Sequence, residues 1–186
     1  MNKGHSPLLF EEYTMNNERF QELLQFGGEF EAAVEPKIAR VFCHADPDAM
    51  LINTATSKTD QKHKRGQRLM YCQDTSASFM LPDVFVFTKG KQFCVEIKCK
   101  KRFYRHTDGK LYGVIDTYKV QEYRDAVRHM GFDGIFYVFG DEETRSVYFA
   151  KDDPIDIKIP AFREYKNKKG EFKAWLIDDL HFLGKW

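Results

Sequence analysis

An α/β architecture, a central mixed β-sheet flanked by helices, is predicted by three observations in these 186 residues. Apolar residues recur at intervals of three or four near the N-terminus and again after Thr117. Short runs such as Val84 to Phe87 and Ile135 to Phe139 are apolar throughout, as buried strands are, and glycine-bearing turns separate them. A hydrophobic share of 42% and an aromatic share of 15% supply one core and exclude a disordered tail, a collagen-like chain and a coiled coil. One unit is expected over residues 1–186, with a core at about 28–150 and a strand-rich C-terminal extension at about 151–186.

The first element is helical. Phe20, Leu23 and Leu24 have helical spacing between Asn17 and Gln25, and Gly27-Gly28 then interrupts the pattern. A second helix is expected from Phe30, Val34, Ile38, Val41 and Phe42, with Pro36 either kinking it or opening a new one. From Ala45 to Met80 the periodicity fades into a polar region carrying Lys58, Lys62, Lys64, Arg65 and Arg68, read as a long basic loop with one short helix near Ala49. Asp46 is read as the N-cap of that helix and Pro47 as its first residue. That accounts for the His44-Ala45-Asp46-Pro47-Asp48 cluster without a metal.

Two apolar segments follow, Asp83 to Phe87 and Gln92 to Cys99, joined by Thr88-Lys89-Gly90-Lys91, the signal of a hairpin. Both have apolar residues on both faces and are expected at the centre of the sheet. Val120, Tyr123, Val127 and Met130 form a helical stripe between Thr117 and Met130, and Gly134 to Phe139 reads as a buried strand. Asp141-Glu142-Glu143 turns into a strand from Ser146 to Ala150. Short strand-like runs with an Asn167-Lys168-Lys169-Gly170 turn complete the region from Ile155 to Leu183.

Neither a leader nor a membrane anchor is expected. The first fifteen residues hold no sustained apolar run, and no stretch reaches the roughly eighteen uncharged residues of a membrane span. The expected location is cytoplasmic. Cys43, Cys72, Cys94 and Cys99 lack C-x-x-C spacing and read as reduced thiols rather than a disulfide framework.

The chemistry concentrates in the hairpin. Side chains alternate along a strand, so Glu96 and Lys98 project from one face while Val95 and Ile97 enter the other. Asp83, at the start of the neighbouring strand, is placed to face Glu96. Two converging carboxylates form a hard oxygen site suited to Mg²⁺ or Mn²⁺, and a lysine two residues on adds positive charge beside it. Such a site suits a phosphodiester, with Lys98 orienting a water or stabilising transition-state charge. Cys94 shares this face. The alternative reading of Glu96 and Lys98 is a surface ion pair on a strand.

Pro82-Asp83 followed by Glu96-Ile97-Lys98 resembles the signature of the PD-(D/E)XK nuclease superfamily. The resemblance spans roughly residues 28–139 and is specific only over Pro82 to Lys98. It implies a restriction-endonuclease-like core of αβββαβ order, similar to that of RecB-like nucleases or Holliday junction resolvases, with DNA as substrate. It implies metal ligation by Asp83, Glu96 and the Ile97 backbone carbonyl. An N-terminal helix acid is also implied, Glu31 first and Glu35 second, with His44 a further candidate by analogy with viral cap-snatching endonucleases. Gln121, with Tyr123, resembles the glutamine and tyrosine motif of the RecB-like enzymes at altered spacing. On these grounds Gln121 is carried over as a catalytic residue, with Tyr123 behind it because Tyr123 also belongs to the core stripe.

The formal charge of +1 conceals segregation. Residues Lys58 to Arg105 contain 12 Lys or Arg against 4 Asp or Glu, a balance of +8, which leaves −7 elsewhere. Lys64, Arg65, Arg68, Lys100, Lys101, Arg102, Arg105 and Arg124 are therefore the candidate phosphate contacts. A homodimer or recruitment by a larger nucleic-acid-processing complex is the expected assembly. RNA cleavage by the same fold and a non-catalytic nucleic-acid-binding module are the alternatives.

Overall fold

The computed structural model describes residues 7–54, 69–72, 77–158 and 170–186, with side chains for 25–54, 80–158 and 170–186. Helix α1 (Pro7–Ala45) leads into strand β1 (Met50–Asn53), the hairpin β2 (Leu69–Cys72) and β3 (Ala77–Met80), and then β4 (Val84–Thr88) and β5 (Lys91–Lys100). Strands β6 (Tyr104–Arg105) and β7 (Leu111–Asp116) precede helix α2 (Thr117–Met130). After it come β8 (Gly134–Asp141), β9 (Ser146–Lys151), β10 (Ile155–Lys158), β11 (Glu171–Leu176) and β12 (His181–Lys185).

Six strands form the central sheet in the order β1-β4-β5-β8-β9-β12. The β5–β8 pair is parallel and its other pairs are antiparallel, so the sheet is mixed. Read along the chain, α1, β1, β4, β5, α2 and β8 reproduce the expected αβββαβ order. A second sheet, β10-β11-β7-β6, and the separate β2-β3 hairpin complete the described strands. Strands β10 and β11 thus join β7, while β12 forms an edge of the central sheet beside β9, which distributes the C-terminal strands over both sheets.

Alternation on β5 divides the core in two. Val95 and Ile97, with Val84, Val86, Val138 and Val147, face Phe30, Val34, Ile38 and Phe42 of α1. Those four helix residues recur every fourth position, which keeps them on one stripe. Cys94 lies in the opposite cluster with Tyr137 and Phe139, against Val120, Tyr123 and Val127 of α2. Fully burying each of these large apolar side chains contributes about 1.5–3 kcal/mol. The sheet is closely covered on the α1 side: a Cβ added at Gly140 of β8 would stand 2.1 Å from Cζ of Phe30.

Several local expectations are corrected. Gly27-Gly28 does not divide the N-terminal helix, and Pro36 neither ends nor begins one: α1 runs through both. Each glycine costs a helix about 1 kcal/mol, and tertiary contact outweighs that here. Phe26 and Phe30 meet Trp186 edge-on, with ring centroids 5.3 and 4.9 Å away. The residues after Ala49 form β1 rather than a short helix; a four-residue edge strand is too brief to declare a period. Asp46 is accordingly a turn residue instead of an N-cap. Its Oδ1 accepts the Asp48 N–H at 3.1 Å and its Oδ2 accepts the Lys89 N–H at 2.6 Å, tying the end of α1 to the β4–β5 turn. Strands β2, β3, β6 and β7 lie where no strand was expected. Lys58, Lys62, Lys64, Arg65, Arg68 and Asn167 to Lys169 lie outside the described residues. Among the described residues no helix is long and apolar enough to cross a membrane.

Candidate active site

The β4–β5 hairpin positions the central groups. Its turn passes through Gly90 at φ +79°, a conformation in which a Cβ is strained. Val84 pairs with Val95, so the same register sets Asp83 opposite Glu96. The carboxylate of Asp83 is buried, at 6% exposure, and its Oδ2 accepts the Ile97 N–H at 2.7 Å. Thr54, just past β1, donates its N–H to the Asp83 carbonyl at 2.9 Å and its hydroxyl to the same oxygen at 3.0 Å. The start of β4 is therefore fixed from both neighbouring strands.

Glu96 is 2% exposed and projects to the α2 side of the sheet. Its Oε1 accepts the Tyr123 hydroxyl at 2.6 Å and pairs with the Lys98 ammonium. Its Oε2 is buried and has no hydrogen-bond partner among the described residues. Burial pushes the Glu96 carboxyl up to about 7, and the charge of Asp83 acts in the same direction against Lys98 and Tyr123. Burial alone would lower the Lys98 ammonium, but Glu96, Tyr123 and Asp83 hold it above its ordinary value. Cys94 is buried beside them, its thiol pushed up to about 12 by burial and by Glu96, which makes it a packing residue rather than a thiolate.

The remaining sequence-predicted residues fall elsewhere. Glu31 is half-buried on α1, the helix that covers the Val95 and Ile97 face. Glu35 accepts a hydrogen bond from Asn53 of β1, and His44 is exposed at the end of α1. The Ile97 side chain belongs to the α1-side cluster. Gln121 is exposed and donates to Asp125 one turn on, at 3.0 Å. Arg124 makes a bidentate pair with Asp152 at 2.7 and 2.8 Å. Lys100, Lys101, Arg102 and Arg105 are exposed beyond the Lys98 end of β5. Asp141 accepts the Phe103 N–H at 2.9 Å, and the Glu142 and Glu143 N–H groups bond to the Lys100 and Lys101 carbonyls, so this basic turn is fastened to β8.

Tyr123 is the neighbour of the carboxylate pair that the periodicity hid, because it satisfies the core stripe of α2. The signal was chemical: a tyrosine where phenylalanine would pack brings a hydroxyl that must find a partner. Among the described residues no three His, Cys, Asp or Glu side chains are grouped to hold an ion. The donors that do converge are two buried carboxylates, one with an unpartnered oxygen. That set fits Mg²⁺ or Mn²⁺, which are held by one or two carboxylates with the remaining positions left to water or phosphate.

No family model matches this chain, and no curated protein matches it. Among solved structures, it is similar to Hjc, a Holliday junction resolvase from the archaeal hyperthermophile Archaeoglobus fulgidus. The similarity covers 84% of this chain and 96% of that one, at a TM-score of 0.46 and 11% identity.

Proposed function

We propose that this chain is a metal-dependent nuclease with a restriction-endonuclease-like core that hydrolyses phosphodiester bonds in DNA. The observation that carries the reading is the buried pair Asp83 and Glu96 with Lys98 beside it and Glu96 Oε2 unpartnered. A buried polar atom without a partner costs roughly 1–3 kcal/mol, a cost that ligation removes. Asp83 and Glu96 would hold Mg²⁺ or Mn²⁺, with the Ile97 carbonyl as a further proposed ligand; Glu31, on the helix over the opposite face of the sheet, is not grouped with them. When bound, the ion supplies positive charge at the scissile phosphate and acidity to an attacking water.

The chain's own groups do the rest. Lys98 orients the water and stabilises the charge that develops on the phosphate oxygens. Lys100, Lys101, Arg102 and Arg105 hold the phosphate backbone as it approaches the Lys98 end of β5. Gln121, on the exposed face of α2, is proposed to contact the substrate.

The test is digestion of single-stranded DNA, duplex DNA, branched DNA and RNA by the full chain, with Mg²⁺ or Mn²⁺ and with chelator. Cleavage of DNA is expected only with metal, and Asp83→Ala or Lys98→Ala is expected to reduce it by at least about 100-fold with the fold intact. Undiminished cutting by either variant overturns the assignment. Preference for RNA in the same panel reassigns the substrate.

A further inference from the structure

Tyr123 satisfies two descriptions at once. By position it is a core residue of α2, 1% exposed and packed among Cys94, Tyr137 and Phe139. Phenylalanine would fill that role as well. Its hydroxyl lies 2.6 Å from Glu96 Oε1, a short bond to an acidic group, with the sulfur of Met80 3.4 Å away. The Lys98 ammonium stands 5.7 Å from the centroid of the same ring. One side chain therefore addresses both the carboxylate and the cation of the proposed centre.

The two oxygens of Glu96 are treated unequally. Oε1 takes both the Tyr123 hydroxyl and Lys98, while Oε2 takes nothing among the described residues. A carboxylate on a strand is free to turn about its terminal bond unless one oxygen is held. The hydroxyl of Tyr123, fixed by a buried ring, is a more rigid hold than the long lysine chain. Elsewhere on α2, Gln121 and Arg124 spend their donors on Asp125 and Asp152.

From this geometry we infer that Tyr123 is the positioning residue of the centre, its hydroxyl holding Glu96 Oε1 so that Oε2 is presented to a divalent cation. The inference rests on the nuclease reading above. Groups that orient a metal ligand typically control affinity or activity by 10–100-fold.

The experiment is titration of the full chain with Mn²⁺ by calorimetry, comparing wild type, Tyr123→Phe and Glu96→Gln, with cleavage kinetics on the best DNA substrate. Tyr123→Phe keeps the ring and is expected to bind Mn²⁺ about 10-fold more weakly. The Mn²⁺ concentration for half-maximal cleavage rises with it, while KM for DNA is unchanged. Wild-type affinity in Tyr123→Phe overturns the positioning role while leaving the nuclease reading intact. Failure of the wild type itself to bind Mn²⁺ or to cut overturns both. Should Tyr123→Phe fail to fold, Tyr123→Gln and Tyr123→Met replace it: the amide donor of Gln is expected to retain more Mn²⁺ affinity than Met, and equal affinities overturn the role.

Discussion

Glu96 carries an energetic cost that depends on pH. Its carboxyl titrates near 7 in the folded chain against an ordinary value of 4.5, chiefly because it is buried. Below the ordinary value it is neutral folded or unfolded. Between there and about 7 the unfolded chain releases the proton while the folded chain keeps it, so stability falls as pH rises through that window. The full effect is roughly 3 kcal/mol. Wild type is therefore expected to lose melting temperature between pH 5 and pH 7.5 relative to Glu96→Gln, and parallel profiles in the two proteins contradict it. Asp83, Glu96 and Lys98 were legible in the sequence because strand alternation fixes which side chains share a face. Tyr123 was reached only through the resemblance, since its periodicity speaks of packing and not of the hydroxyl that meets Glu96. Gln121 and Arg124 lie outside the buried stripe of α2, and near neighbours in space, Asp125 and Asp152, accept hydrogen bonds from them.

The hairpin β4–β5, helix α2 and strand β8 were legible for a common reason: each is bounded by a turn residue and carries an unbroken pattern. Gly131 ends α2 in the left-handed conformation, at φ 70°. Helix α1 was misread because glycine and proline speak for local preference, and here packing prevails over it. Strands β1 and β6, of four and two residues, carry too few side chains to show alternation. How closely α1 seats on the sheet is open to measurement at Gly140, where a methyl group would meet the Phe30 ring. Gly140→Ala is expected to destabilise the chain by roughly 1–3 kcal/mol in denaturant unfolding. Combining it with Phe30→Val is expected to cost less than the two single changes together, as residues in contact are not additive; strict additivity would place the strain elsewhere.

At the scale of the molecule, a near-neutral chain concentrates its positive charge in the stretch of sequence that contains the carboxylate pair. One described part of that charge, Lys98 to Arg105, lies at the end of β5 and is fastened to β8. Binding to duplex DNA is expected to weaken with salt along a straight line in logarithmic coordinates. Lys100→Ala or Arg105→Ala should each lower the slope by about 1 and weaken binding alike across sequences, as filter binding at several salt concentrations will report. An unchanged slope removes that residue from the phosphate contacts. The parallel pairing of β5 with β8 has a further consequence, for the order of assembly. Asp83, Glu96 and Lys98 belong to one antiparallel hairpin, so their meeting closes only a short loop, whereas β8 reaches β5 after the chain has passed through β6, β7 and α2. By chain separation the charged groups are expected to meet while still hydrated, before α2 covers them. Burial against α2 is what expels water from Glu96 and makes its carboxylate reluctant to ionise.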